Sequence, residues 1–337
     1  MRVEVGRDIL ENTGSILSKH LFCGDIAVLT GPTVGKRYIS RLEESLREGG
    51  FTPAVFTVGD SSLRESARIV VVLPRNTCAI VGFGGGRILD TAKMVAHSTN
   101  LNFISIPTSA AHDGIASPQA SLKGLNGAHS VRVKTPFIII ADSALIAQSP
   151  KALTLSGIGD VLAKFSSVLD SRLAQERGEY VGDYAISLAE MSAKLVFDNM
   201  DRIVSLEESG IRTLLEALIS NGIAMAIAGS SRPCSGSEHM FGHAFDYLTS
   251  HRILHGYTVL LGCRLSLALH GQDWERILIP AEVAGIPCRG RDFEVPSVYV
   301  ERALAFASKI RPERYTILAS GISLSRASEV VRKTGAI

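Results

Sequence analysis

The sequence predicts an α/β domain followed by an all-α domain. Two observations carry this prediction. Short, β-branched apolar runs alternate with segments of helical period up to about residue 150, and beyond that point the strand signal fades while the helical period continues. Strands that alternate with helices predict a parallel sheet under helical cover. We therefore place one domain at residues 1–150 and a second at residues 151–337.

The elements of the first domain are bounded by recognisable turn residues. Gly31-Pro32 closes the first strand and Gly49-Gly50 ends the first long helix. Residues 1–24 are typical of a short amphipathic lead-in, and a polar segment around residues 124–129 suits an antiparallel hairpin. The predicted strands are residues 26–30, 54–58, 78–82, 103–107 and 137–141, and the predicted helices are residues 37–48 and 61–73.

The second domain has helical periodicity throughout. The predicted helices are residues 159–175, 183–197, 211–227, 237–248 and 257–269, with later segments to the carboxyl terminus. Because this domain is rich in apolar helices, we expect the protein to form a homo-oligomer.

Composition excludes several classes of protein. Hydrophobic residues make up 46% of the 337 residues and charged residues 20%, which is enough apolar material for a large interior. The net charge of +2 comes from mixed signs without basic runs, so we expect no nucleic-acid partner and no membrane patch. We see no signal peptide and no uninterrupted apolar segment of membrane-spanning length. Five scattered cysteines without a CxxC pair favour reduced thiols and a cytoplasmic protein.

Four of the nine histidines lie in residues 231–256. His239 and His243 are four residues apart, and so are His251 and His255. On a helix this spacing puts two imidazoles on one face, where both can reach one ion or ligand. A single histidine is more often a partly buried residue bonded to backbone, but four so close together favour a metal or catalytic site.

Residues 80–93, IVGFGGGRILDTAK, have the order strand, glycine triplet, helix. Glycines let a diphosphate approach the backbone, and the amides at the start of the helix attract its charge. The alternative is a tight glycine turn without a ligand, since the triplet is not the GxGxxG fingerprint. Asp90 and Lys93 follow on the first turns and are adjacent to this candidate cofactor site.

Two further segments carry candidate polar residues. Residues 106–118, IPTSAAHDGIASP, place Asp113 in a loop of small residues that leaves room for a ligand, although a DG pair is also a common turn former. Residues 156–164, SGIGDVLAK, contain Asp160, which is either a helix-start residue favoured by the dipole or an oxygen ligand. One carboxylate with two imidazoles leaves a fourth position open, which is typical of a catalytic zinc site.

The segments GGGRILDTAK, PTSAAHDGIASP, SGIGDVLAK, SRPCSGSEHMFGH and LHG, in this order, resemble the glycerol-dehydrogenase and dehydroquinate-synthase-like superfamily. HDGIASP and SGSEHxxxH are most similar to its archaeal glycerol-1-phosphate branch. The resemblance covers nearly the whole chain and implies a Rossmann-like first domain, an all-α second domain, NAD or NADP, and Zn²⁺.

The resemblance also implies roles for individual residues. Asp160, His239 and His255 match zinc ligands, which replaces the pairing of His239 with His243 that spacing alone favours. Asp113 matches a substrate-binding carboxylate with a catalytic role. His243 lies toward the substrate, as a proton relay or a phosphate contact, and Asp160 is also a substrate contact. His251 matches no functional position and is expected to be structural. The residues expected to hold the dinucleotide are Gly84, Gly85, Gly86, Arg87, Ile88, Leu89, Asp90, Thr108, Ser109 and Ser117.

The implied reaction is the zinc-assisted, NAD(P)H-dependent reduction of dihydroxyacetone phosphate to sn-glycerol 1-phosphate for archaeal ether phospholipids. The substrate is thus a small phosphorylated molecule. Two alternatives remain, a dehydrogenase of glycerol or another polyol and a dehydroquinate-synthase-like lyase. The glycine loop is not followed by the usual acidic ribose marker, so the sequence leaves NAD and NADP open.

Overall fold

The computed structural model describes residues 1–21, 24–124, 127–249 and 253–337. By its contacts the chain divides into two compact units, Met1–Pro150 and Lys151–Ile337. The first combines a sheet with helices and the second is helical, as the sequence predicts.

A six-stranded, wholly parallel sheet forms the centre of the first unit, with the strand order β1-β8-β5-β4-β2-β3. Its strands are β1 (Arg2–Gly6), β2 (Asp25–Thr30), β3 (Thr52–Thr57), β4 (Thr77–Gly84), β5 (Asn102–Pro107) and β8 (Ile138–Asp142). The antiparallel pair β6 (Gln119–Gly124) and β7 (Gly127–Arg132) is the predicted hairpin, whose connecting residues 125–126 lie outside the described chain. The prediction of residues 1–24 as a lead-in missed β1, because this edge strand buries none of its residues fully and carries no apolar run.

The helices of the first unit are α1 (Thr13–Ser18), α2 (Pro32–Glu48), α3 (Leu63–Val72), α4 (Gly86–Thr99) and α5 (Ser143–Ala147). Gly84 at the end of β4 is in register with Pro107 at the end of β5. Because parallel strands end at the same edge of a sheet, the turns that follow β4 and β5 lie side by side.

The helices of the second unit are α6 (Lys151–Leu162), α7 (Lys164–Glu176), α8 (Asp183–Asp198), α9 (Met200–Val204), α10 (Glu208–Ala228), α11 (Ser237–Thr249), α12 (His255–Leu269), α13 (Glu275–Val283), α14 (Ser297–Phe306) and α15 (Leu324–Lys333). Asp160 lies near the carboxyl end of α6. The interpretation of Asp160 as a helix-start residue is therefore wrong, and the dipole offers no reason for a carboxylate there.

Two helical stretches, Lys151–Glu176 and Glu208–Ala228, are long and apolar enough to cross a membrane. Charged residues, among them Asp160 and Glu216, interrupt both stretches, so the expectation of no uninterrupted apolar segment of this length is not contradicted. More than half of the apolar window of each is buried inside the protein. Helices that form the core of a folded domain have the same composition.

The cysteines differ from the expectation of five reduced thiols, because Cys78 is disulfide-bonded. Cys234, Cys263 and Cys288 are buried thiols. Burial is the main cause that raises the pKa of Cys263 to about 12, so this thiol is unreactive near neutral pH. Cys234 is 1% exposed and its thiol contacts the Asn221 carbonyl oxygen at 3.5 Å, as expected for a small buried residue.

Candidate functional site

The glycine triplet joins β4 to α4. Gly85 is the N-cap of α4 and supplies no side-chain cap, so the first amides of the helix face outward at its positive end. Thr108 donates its backbone N–H to the Gly84 carbonyl oxygen at 3.1 Å, which joins the loop after β5 to the triplet. Thr108 and Ser109 are buried beside it. This is a surface of backbone amides and hydroxyls that suits a diphosphate.

Two of the three glycines are also required by the packing of the protein itself. A Cβ atom at Gly84 would lie 2.7 Å from Ile88, and one at Gly86 would lie 1.9 Å from His112 Nε2. At Gly85 the nearest atom would be Ser109 Oγ at 3.5 Å, an ordinary contact. Gly84 and Gly86 are therefore explained by tight packing alone, whereas Gly85 leaves room over the turn.

The predicted cofactor residues beyond the triplet differ in what they can offer. Ile88 and Leu89 are buried, and both donate their N–H groups to the Gly85 carbonyl oxygen, at 2.9 and 3.1 Å. Their side chains pack in the core and their N–H groups form hydrogen bonds within the first turn of α4. Arg87 is exposed and can reach a bound anion.

Lys93 is fully buried at the first turns of α4. Its ammonium donates to the Gln119 carbonyl oxygen at 2.7 Å, to Asp90 Oδ1 at 3.3 Å and to Ser117 Oγ at 3.4 Å. Burial lowers the pKa of Lys93, and the charges of Asp90 and Asp113 oppose that shift. Lys93 thus connects α4 with the start of β6 and places Asp90 and Ser117 next to each other.

Asp113 begins a short 3-10 turn, Asp113–Ile115, and is half-buried. Its carbonyl oxygen accepts the N–H of Ser117 at 3.1 Å, as a turn residue does. The preceding His112 accepts the Gly114 N–H at 2.9 Å through Nδ1, which fixes the imidazole against Gly86. Sequence reasoning missed this role of His112.

In the second unit, Asp160 of α6, His239 of α11 and His255 of α12 converge. One potential ligand atom from each residue lies within 4.8 Å of the other two. His239 Nε2 is 3.7 Å from Asp160 Oδ1. Tetrahedral zinc with bonds near 2.0–2.2 Å separates its ligand atoms by about 3.4 Å, so this donor set fits the ion.

His243 lies outside this group of three. The ring centroids of His239 and His255 are 5.1 Å apart, whereas those of His239 and His243, the pair favoured by spacing, are 6.5 Å apart. Burial and then the charges of Arg311, His239 and Arg314 lower the pKa of His243 to about 3. His243 is therefore neutral near pH 7 and can both donate and accept a hydrogen bond. His251 lies outside the described residues.

Glycines bring α6 and α12 close enough for Asp160 and His255 to meet. A Cβ at Gly256 would lie 1.7 Å from the Ser156 carbonyl oxygen, and one at Gly159 would lie 2.5 Å from the Gly256 carbonyl oxygen. Only glycine permits so close an approach of two helix backbones. Each of these glycines is the chain neighbour of a candidate ligand, Asp160 or His255, so their packing positions both side chains.

Lys164 lies one turn after Asp160 and donates to Asp160 Oδ1 at 2.7 Å, with both side chains buried. Burial alone would raise the pKa of Asp160, but Lys164, His255 and His239 hold it well below its usual range. Asp160 is therefore ionised near neutral pH. A carboxylate has about four acceptor positions, so it can accept from Lys164 and still face the imidazoles.

Glu238 supports the other side of His239. Its Oε1 contacts His239 Nδ1 at 2.7 Å and accepts the Gly236 N–H at 2.6 Å, while Oε2 accepts from Ser166 Oγ at 2.9 Å. Burial would raise the pKa of Glu238, but the hydrogen bond and charge of His239 lower it overall. The contact at Nδ1 leaves Nε2 directed to Asp160, an arrangement common among metal-binding histidines.

Asp170 fixes the start of α11, where His239 lies. Its carboxylate accepts from Ser237 N and Oγ, each at 2.6 Å, from Ile317 N at 2.8 Å and contacts His270 Nε2 at 3.0 Å. Sequence reasoning missed Lys164, Glu238 and Asp170. The i, i+4 spacing of Asp160 and Lys164 was the one local signal available.

Comparison with known proteins identifies the class of fold. Residues 4–150 match the family model of iron-containing alcohol dehydrogenase. The glycerol dehydrogenase of Schizosaccharomyces pombe superposes with a TM-score of 0.84 at 20% identity, over 99% of this chain and 88% of that one. Sulfoacetaldehyde reductase of Bifidobacterium kashiwanohense, solved in complex with NAD+, gives 0.76 at 18% identity, over 100% and 97%. The chain has the fold of this dehydrogenase class.

Relatives at higher identity narrow the class to one family. Glycerol-1-phosphate dehydrogenase [NAD(P)+] of Hyperthermus butylicus is 41% identical over 100% of this chain and 99% of its own length. The enzyme of the same name from Sulfurisphaera tokodaii is 39% identical, over 100% and 96%. The chain belongs to the glycerol-1-phosphate dehydrogenase family.

Proposed function

We propose that this protein is a cytoplasmic enzyme that reduces dihydroxyacetone phosphate to sn-glycerol 1-phosphate with NADH or NADPH, for archaeal ether phospholipid synthesis. One observation carries the proposal. Ligand atoms of the buried Asp160 and His239 and of the half-buried His255, from three separate helices, lie within 4.8 Å of one another in a chain of the glycerol-1-phosphate dehydrogenase family. We further propose that it acts as a homo-oligomer.

The zinc ion belongs at these three residues, because one carboxylate and two imidazoles leave a fourth position for substrate. Bound there, zinc supplies a Lewis acid that polarises the substrate carbonyl. Neighbouring side chains set the charge and the orientation of these ligands before the ion binds. Lys164 keeps Asp160 ionised, and Glu238 keeps Nε2 of His239 directed inward.

His243 is the residue that we assign to proton transfer. The reduction adds a hydride from the nicotinamide to the carbonyl carbon and a proton to the carbonyl oxygen. A neutral imidazole can release a proton from one nitrogen while it accepts another at the second. The ring centroid of His243 is 6.0 Å from that of His255, which keeps it next to the metal ligands.

The dinucleotide belongs at the turn after β4. The uncapped amides of α4 would receive its diphosphate, above Gly85, with Thr108, Ser109 and Ser117 around it. Asp113 would contribute a carboxylate toward the substrate. The backbone supplies most of this site, and either NAD or NADP fits that chemistry.

The direct test is turnover by purified, zinc-loaded protein. We expect consumption of NADH or NADPH with dihydroxyacetone phosphate, and sn-glycerol 1-phosphate as the product of chiral analysis. Formation of sn-glycerol 3-phosphate would refute the proposal. In the reverse direction glycerol 1-phosphate should be oxidised faster than glycerol. Faster oxidation of glycerol would instead indicate a polyol dehydrogenase. Net NADH oxidation excludes the lyase, which returns its cofactor to the oxidised state in each cycle.

A further inference from the structure

Two arginines of the second unit, Arg311 and Arg314, lie against the segment that leads into α11. Arg314 donates through Nη2 to Ser231 Oγ at 2.9 Å and through Nη1 to the Ser235 carbonyl oxygen. Among the described residues Arg311 makes only two contacts, both long and both from Nη1, at 3.5 Å to Ser231 Oγ and at 3.5 Å to Ser235 Oγ. Arg314 therefore clamps this segment, while most of the Arg311 guanidinium lacks a strong partner among the described residues.

No ion pair within the described residues neutralises the positive charge of this pair, although the charges of Glu238 and Glu313 act on both arginines. The neighbouring Arg232 forms an ion pair with Glu179. Within residues 1–21, 24–124, 127–249 and 253–337, neither Arg311 nor Arg314 has a carboxylate at ion-pair distance. Both side chains are only half-exposed, and a partly desolvated charge without a counter-ion is costly. Such a pair attracts an anion.

Burial also lowers the pKa of both guanidiniums. That of Arg314 falls to about 10, where the charges of Arg311 and Arg232 add to the effect of burial while Glu238 and Glu313 oppose it. For Arg311, Glu313 and Glu238 likewise oppose the effect of burial. Both arginines remain protonated near pH 7, so their charges repel each other.

The pair lies close to the candidate zinc ligands through the segment that leads into α11. Both arginines contact Ser235, four residues before His239, one of the three candidate zinc ligands. In dihydroxyacetone phosphate a single methylene and an ester oxygen separate the carbonyl from the phosphorus. A phosphate site must therefore lie within a few ångströms of the carbonyl site, and this pair is a nearby cationic group.

We propose that Arg311, supported by Arg314, binds the phosphate of the substrate. The planar guanidinium of Arg311 has donors left to grip two phosphate oxygens, and Arg314 adds charge while it holds Ser231 and Ser235 in place. The site recognises a phosphate monoester dianion. The identity of that monoester rests on the function proposed above.

The test compares Arg311→Ala and Arg311→Lys with the wild type. For each zinc-loaded protein, kcat and KM are measured with dihydroxyacetone phosphate and with unphosphorylated dihydroxyacetone, and binding of inorganic phosphate is measured by calorimetry. Arg326→Ala is the matched control, because Arg326 is exposed on α15 and, within the part of the chain that the structure describes, forms an ion pair only with the surface residue Glu329. Zinc content and circular dichroism verify that each variant is folded.

We expect Arg311→Ala to lower kcat/KM for dihydroxyacetone phosphate by about 10²-fold, mainly because KM rises. A loss of this size is expected when hydrogen bonds to a charged group are removed. Phosphate affinity should fall in parallel, while kcat/KM for dihydroxyacetone stays within about threefold of the wild type. Arg311→Lys should be intermediate, because an ammonium keeps the charge but not the two-point contact. Arg326→Ala should match the wild type.

Equal losses for both substrates, or unchanged phosphate affinity in Arg311→Ala, would overturn the subsite and leave the proposed function intact. If Arg311→Ala does not fold, Arg311→Lys decides, and wild-type phosphate affinity in that variant would overturn the subsite. A wild type that binds inorganic phosphate through Arg311 but does not reduce dihydroxyacetone phosphate would support the subsite and refute the proposed function.

Discussion

The glycine turn of the first unit and the three-residue cluster of the second are built in opposite ways. The turn is one contiguous stretch of small residues that offers backbone amides, and its constraints are steric. In the cluster, Asp160, His239 and His255 come from three different helices. The buried charged side chains of Lys164 and Glu238 lie against them. The difference teaches that a substitution acts through volume in the first region and through charge and hydrogen bonding in the second.

The largest effect among the tests of this comparison is expected from Gly86→Ala. The added methyl group would lie 1.9 Å from His112 Nε2, so the imidazole and the loop that it holds must move. We expect NADH affinity to fall by at least about tenfold and the free energy of unfolding to fall by about 1–3 kcal/mol, as for other overpacked sites. Fluorescence titration and thermal unfolding measure the two quantities.

Gly24→Ala is the control, because no atom of the described residues lies within 4 Å of the position of its added Cβ. Gly86→Ala combined with His112→Ala should recover part of the lost stability by removal of the clash. If Gly86→Ala alone bound NADH as tightly as the wild type, the space available at residue 86 would not limit cofactor binding at this turn.

A smaller effect on the free energy of unfolding is expected from Glu238→Gln, which changes charge at nearly constant volume. The amide can still accept a hydrogen bond at His239 Nδ1, but it no longer supports the basicity of the ring. We expect zinc affinity to fall by about 10–100-fold, as for other residues that orient metal ligands, with the fold retained. Competition with a chromogenic chelator measures the affinity.

Glu190→Gln serves as the matched change on the surface, because Glu190 pairs with Arg172 and Lys194 at partly exposed positions. Its zinc affinity should equal that of the wild type. If Glu238→Gln also bound zinc as tightly as the wild type, the buried carboxylate would have no part in orienting His239.

Local sequence signals predicted most of the fold because its elements are set by period and by turn residues. The buried strands β2, β4, β5 and β8 carry continuous apolar runs, whereas the edge strand β1 does not and was missed. The disulfide at Cys78 was also missed, since scattered cysteines give no indication of pairing.

The candidate site was only partly predictable for a physical reason. Spacing along one helix favours His239 with His243, and only the family resemblance pointed to His255. In space, the meeting of α6 with α12 depends on Gly159 and Gly256, whose role appears only when the two backbones are in contact. Long-range packing of this kind has no local periodicity. Of the supporting charges, Lys164 had a local signal in its i, i+4 spacing from Asp160, whereas nothing in the sequence marked Glu238 as a buried partner of His239.

The most direct test of the central claim is the zinc content of purified protein, measured by mass spectrometry for the wild type, His255→Ala and His243→Ala. We expect about one zinc per chain in the wild type, almost none in His255→Ala, and a wild-type amount with poor turnover in His243→Ala, because the proposed zinc ligands are Asp160, His239 and His255 and do not include His243. Equal zinc in the wild type and His255→Ala, or loss of zinc in His243→Ala, would contradict this claim.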